Sequence, residues 1–223
     1  MKQQKGFTLI ELAIVLAIIG IILGAILKGQ ELINNAKAKR LLNDVKGWAT
    51  LEYTFYDRYG RFAGDGDGDG LIDAGAFATS QANFGANYIP PTSALLTPTT
   101  AYQNSDFDAP VATLEAAQLL PAAQNAPQRR TNVTNAFNGI TYPASVYIDN
   151  VGTFNVIAVK NIPCFAAKVI DSNIDGSIGA NVGYVREIDN TGALTGNNTW
   201  SCDANNNEQQ LVSLVYFFDK RPN

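Results

Sequence analysis

Hydrophobic and polar positions divide this chain into two regimes. From Phe7 to Leu27 the only polar side chains are Thr8 and Glu11. A run of that length is enough to cross a bilayer as one helix, at about 1.5 Å of rise per residue. Past Leu27 the pattern turns amphipathic. Leu32, Ala36, Leu41, Val45, Trp48, Phe55 and Tyr59 recur at helical steps, while Lys37, Lys39, Arg40, Asp44 and Lys46 occupy the other faces. No proline appears before Pro90. The spacing therefore predicts one helix from about Thr8 to Tyr59, roughly 75–80 Å long. Beyond Gly60 the periods shorten. A helix is expected over Asp108–Leu120, closed by Pro121, and another over Pro163–Asp171, where proline suits the first turn. Strands are expected at Tyr142–Ile148 and Thr153–Val159, joined by a turn at Asp149–Gly152, and again at Val182–Ile188 and Leu211–Phe218. The class is α+β.

An ionisable side chain inside a membrane-length apolar run is costly and marks function by default. Glu11 stands in that position, behind a short basic leader (Lys2, Lys5) and Gly6-Phe7. Residues 5–15, KGFTLIELAIV, closely resemble the class III signal of type IV prepilins and type II secretion pseudopilins. The resemblance implies cleavage after Gly6 by a prepilin peptidase, which also methylates the new amino terminus at Phe7. An ordinary secretory signal is cut after its apolar stretch and lost; here the cut precedes the helix, which stays on the mature protein. A pilin-like fold is implied, with a long N-terminal helix, membrane-spanning in its first half, packed on a C-terminal globular head with a small antiparallel sheet. The segment Gly29–Gly47, the run Asp57–Phe62 and, weakly, Asn161-Ile-Pro163 resemble a broader group of pilin-like proteins.

The implied domains are a leader at 1–6, a transmembrane or filament-core helix at 7–28, its amphipathic continuation at 29–59 and the head at 60–223. Lys2 and Lys5 would stay on the cytoplasmic side of the bacterial inner membrane, with the head extracytoplasmic. The implied partners are the peptidase-methyltransferase, an inner-membrane assembly platform driven by a cytoplasmic ATPase, and further copies in a helical filament. There Glu11 would pair with the amino terminus of a neighbouring Phe7 and help recruit the subunit. Gly20 and Gly24 form a G-x-x-x-G pair that admits a close helix neighbour, or are plain membrane-helix glycines. Many major pilins carry a proline near the end of the apolar run; this chain has Lys28 in that neighbourhood. That shades the reading slightly away from a conventional major pilin. The alternatives are a tip subunit whose head binds cargo, DNA or a surface, and a permanently anchored extracytoplasmic binding domain.

Composition narrows the function. The 223 residues are 46% hydrophobic and 16% charged, enough to bury a core beyond the anchor. Net charge is −4, and losing Lys2 and Lys5 takes it to about −6, which does not indicate nucleic-acid binding. With no histidine, no Ser- or Cys-centred constellation and no phosphate-binding lysine at P-loop spacing, catalysis is not expected.

Asp65, Asp67, Asp69 and Asp73, interleaved with glycines, match the first half of an EF-hand loop. Hard oxygen ligands at alternate positions suit Ca²⁺, with a carbonyl near Leu71 added; Ala76 stands where the twelfth-position acid would be. A solvated acidic loop is the alternative. A thinner echo runs Asp171, Asn173, Asp175, which a helix-terminating turn explains equally well. Calcium recurs in pseudopilin heads, though not necessarily at these positions. Cys164 and Cys202, the only thiols, are expected to pair in an oxidising compartment and staple the helix after Pro163 to the C-terminal sheet; two free buried cysteines are the alternative.

Overall fold

A computed structural model describes residues 8–72, 92–97, 109–120, 145–189 and 192–222. Gly6, Phe7, Asp73 and Asp108 lie outside the described residues, as do the leader and Tyr142. The elements are α1 (Leu9–Tyr59), α2 (Ala109–Ala116), β1 (Ser145–Val151), β2 (Phe154–Pro163), α3 (Cys164–Asp175), β3 (Val185–Ile188) and β4 (Leu211–Phe217), with 3-10 turns at Ser93–Leu96 and Ser201–Asn205. The chain divides into two compact units, Met1–Lys37 and Ala38–Asn223.

In the first unit, α1 is apolar and long enough to cross a membrane by length and composition, with a mean hydropathy of 2.9 over its most apolar stretch. Its large side chains, from Leu9 to Leu27, are all exposed. A helix apolar on every side finds its partner in lipid or in other chains.

In the second unit, the same helix buries a single stripe: Ala38, Leu41, Leu42, Val45, Ala49, Glu52 and Phe55. That stripe shares a core with Ile157, Val159, Ile162, Val212 and Leu214 of the sheet, Ala167 and Ile170 of α3, and Trp200. The sheet is antiparallel, in the order β1-β2-β4-β3. Its other face carries a second cluster of Val156, Ala158, Ile188, Val215 and Phe217. Alternation along β2 explains the division, since successive side chains point to opposite faces. A register shift between Val159 and Ile162, with Asn161 at φ 58°, returns Ile162 to the helix-facing core. The architecture is a pilin-like α+β fold.

Element ends differ from the sequence expectation by a few residues, each for a local reason. The hairpin turn is only Gly152-Thr153, between the paired Val151 and Phe154, with Gly152 at φ +63°. Helix α2 closes at Ala116, where Gln118 turns left-handed (φ 59°) and Leu119 N–H bonds back to Leu114 O at 3.0 Å. Helix α3 runs one turn past Asp171, to Asp175. Strand β3 starts only at Val185, after a turn in which Gly183 sits at φ +93°. Cys164 at the start of α3 and Cys202 in the second 3-10 turn form a disulfide, with Cα atoms 6.3 Å apart. The staple therefore ends on that turn, ahead of β4.

Candidate functional site

Two places carry polar chemistry that the packing does not use up: the start of α1 and the glycine-rich loop after it. At the start of α1, Thr8 and Glu11 close on each other. Thr8 N–H and Thr8 Oγ1–H both donate to Glu11 Oε2 at 2.8 Å. The Glu11 N–H donates back to Thr8 Oγ1 at 3.3 Å. This is a reciprocal capping box, satisfying amide donors that the first turn of any helix leaves without intrahelical partners. It lies at the head of the exposed apolar stretch. Further along, a Cβ built on Gly20 or Gly24 would meet nothing within 4 Å, so that side of the helix is open.

A family model for the prokaryotic N-terminal methylation motif matches residues 1–27. This chain carries a prokaryotic N-terminal methylation motif. The motif, a class III signal peptide, is consistent with the type IV pilin and pseudopilin family. No curated protein and no solved structure matches the chain. The motif ends at residue 27, within the first unit, so the second unit rests on its own geometry.

The loop after α1 is folded around one buried acid. Asp65 is fully buried and accepts Gly68 N–H at 2.7 Å and Gly70 N–H at 3.1 Å, one on each carboxylate oxygen. Asp67 takes Asp69 N–H at 3.3 Å, and Asp69 takes Leu71 N–H at 2.8 Å. Oxygen atoms of Asp65, Asp67 and Asp69 all lie within 4.8 Å of one another. Burial pushes the Asp65 carboxyl above the usual range, against the two amide bonds that pull it down; nearby Asp69 adds to the rise and Arg61 opposes it. The donor set is all oxygen and two of the three acids are exposed, so the triad can hold a hard cation.

The loop is anchored from both sides. Buried Asn155 on β2 accepts Ile72 N–H at 2.8 Å and donates to Gly70 O at 2.8 Å and Asp219 Oδ2 at 3.0 Å. The Arg61 guanidinium donates to Asp65 O and, at 2.6 Å, to Leu95 O. Glu52, buried in the α1 stripe, accepts Ala63 N–H at 2.9 Å. Gly64 is held at φ +91°, and a Cβ there would sit 2.7 Å from Pro110 Cγ, so no other residue fits. Thr8, Asn155, Arg61 and Glu52 were not legible as a set. Only Thr8 had a signal, the T-x-x-E spacing ahead of an apolar run.

The second acidic run behaves differently. Asp171, Asn173 and Asp175 occupy the last turns of α3, where alternate residues point away from each other. Asn173 donates to Val169 O at 2.6 Å. Asp171 Oδ2 accepts Gly179 N–H at 2.7 Å and Trp200 Nε1–H at 3.1 Å. Asp175 accepts Tyr184 N–H and Val185 N–H, at 2.8 and 2.9 Å. The acids tie the following loop to the helix end, which is the geometry of a helix-closing turn.

Proposed function

We propose that this chain is a structural subunit, a pilin or pseudopilin, that polymerises through the first half of α1 into a type IV pilus-like or type II secretion filament. One observation carries the reading: a methylation motif opens a helix whose apolar side chains are exposed on every side. Such a surface needs lipid while the subunit waits and neighbouring helices once it leaves. Pilin-like proteins are typically structural rather than enzymatic.

On this reading a prepilin peptidase cuts after Gly6 and methylates Phe7, and the inner membrane holds the subunit with its second unit outside the cytoplasm. A platform driven by a cytoplasmic ATPase then adds it to a periplasmic or extracellular filament. Glu11 pairs with the amino terminus of a neighbouring Phe7, and the open side at Gly20 and Gly24 receives an adjoining helix. The acid triad at Asp65, Asp67 and Asp69, with Asp73 following, takes Ca²⁺ in the calcium-rich exterior.

Replacing Glu11 tests the core of this. Glu11→Ala or Glu11→Val is expected to leave cleavage intact and cut sheared filament yield at least tenfold. Normal yield from either variant contradicts the pairing.

A further inference from the structure

A carboxylate within an apolar helix must find donors before any neighbour arrives. In this chain one residue supplies them. The Thr8 hydroxyl has one donor and two acceptor positions, and both kinds are in use: it donates to Glu11 Oε2 at 2.8 Å and accepts Glu11 N–H at 3.3 Å. The Thr8 amide adds a second donor to the same oxygen, also at 2.8 Å. Both bonds end on Oε2, and among the described residues no donor reaches Oε1. The carboxylate is thereby drawn back over the first turn of α1, toward the chain's own amino terminus.

We propose that Thr8 is the positioning residue for Glu11: it satisfies and aims the carboxylate within a lone subunit and leaves Oε1 for the amino group of an incoming copy. The inference rests on the assembly role proposed for Glu11. A waiting subunit then carries a carboxylate satisfied at Oε2 alone, and the capping box does not have to break for the intermolecular pair to form. The hydroxyl carries the specificity. Serine reproduces it; valine matches threonine's shape without it.

The test compares Thr8→Ser, Thr8→Val and Glu11→Ala in the full chain, scoring cleavage after Gly6 and yield in the sheared filament fraction. Thr8→Ser is expected to assemble within about twofold of wild type. Thr8→Val is expected to be cleaved but to assemble about tenfold less, the size of one hydrogen bond to a charged group. Normal assembly of Thr8→Val beside a failing Glu11→Ala overturns the role of Thr8 and leaves the assembly reading standing. Normal assembly of both overturns that reading itself. Amide exchange of the wild type and Glu11→Ala in detergent micelles supplies a readout independent of processing. The Thr8 amide, which the helix itself leaves without a partner, is expected to be protected in the wild type and to exchange freely in Glu11→Ala. Equal exchange in the two proteins overturns the positioning role.

Discussion

Asp171 is fully buried at the end of α3, and its Oδ1 has no donor. Burial is the main reason its pKa rises to about 6; the bonds from Gly179 and Trp200 hold it down, and Asp175 alongside pushes it up again. A proton on the Asp171 carboxyl would supply a donor to Asp175 beside it. Arg186 of β3 and Tyr216 of β4 are the other titratable groups that sense Asp175. The sign follows from linkage. A folded pKa raised from 3.8 to about 6 means the folded state binds the proton more tightly. That contribution to stability is complete below about pH 4 and is lost as pH rises through about 6. Asp171→Asn keeps the acceptor and supplies a permanent donor. At pH 8 it should melt at least about 3 °C above wild type, which is what roughly 1 kcal/mol does in a domain of this size. At pH 5 the gap should narrow to about half, and below about pH 4 the two should converge. Equal melting at both values, read by circular dichroism of the full chain in detergent, counts against the protonated carboxyl. Neither Asp171 nor Glu52, whose carboxyl burial raises well above its usual range, betrays its burial in sequence, because the side chains beside each mix polar and apolar types. Glu11 does stand out in the sequence, because between Phe7 and Leu27 the only other polar side chain is Thr8.

Among the elements, α1 was the most legible. Fifty-one residues of sustained helical pattern leave little room for error, and only its first residue shifts, from Thr8 to Leu9. The short elements shifted more, since one bond can move a boundary by a turn. The D-x-N-x-D spacing at 171–175 resembles a ligand loop in sequence yet lies in α3, where the helical bonds take precedence. The loop at 64–70 kept its expected turns, and what sequence could not show is its attachment. Asn155, far along the chain, reads as an ordinary strand residue until the fold brings it to Gly70 and Ile72. That attachment makes ion binding readable as global stability. Calcium at about 10 mM, with a dissociation constant near the 10⁻⁴–10⁻³ M of extracellular modules, should add about 1.4–2.7 kcal/mol. The melting temperature should rise by several degrees, and Asp67→Ala with Asp69→Ala should remove the rise. A wild type indifferent to calcium would show that the triad is simply a solvated turn.

The whole molecule places two different surfaces on one chain. The unit Met1–Lys37 displays its large apolar side chains, while Ala38–Asn223 buries its own around a four-stranded sheet and a disulfide. Neither pattern alone suggests a filament, since an exposed apolar helix is equally an anchor. Cleavage before the helix would separate them, because it would yield an amino terminus able to meet Glu11 of another copy. The most direct measurement is mass spectrometry of sheared extracellular filaments, searching for the N-terminal peptide. The account predicts a dominant species beginning at methylated Phe7. An intact Met1 terminus confined to the membrane fraction would contradict it and leave an anchored ectodomain in its place.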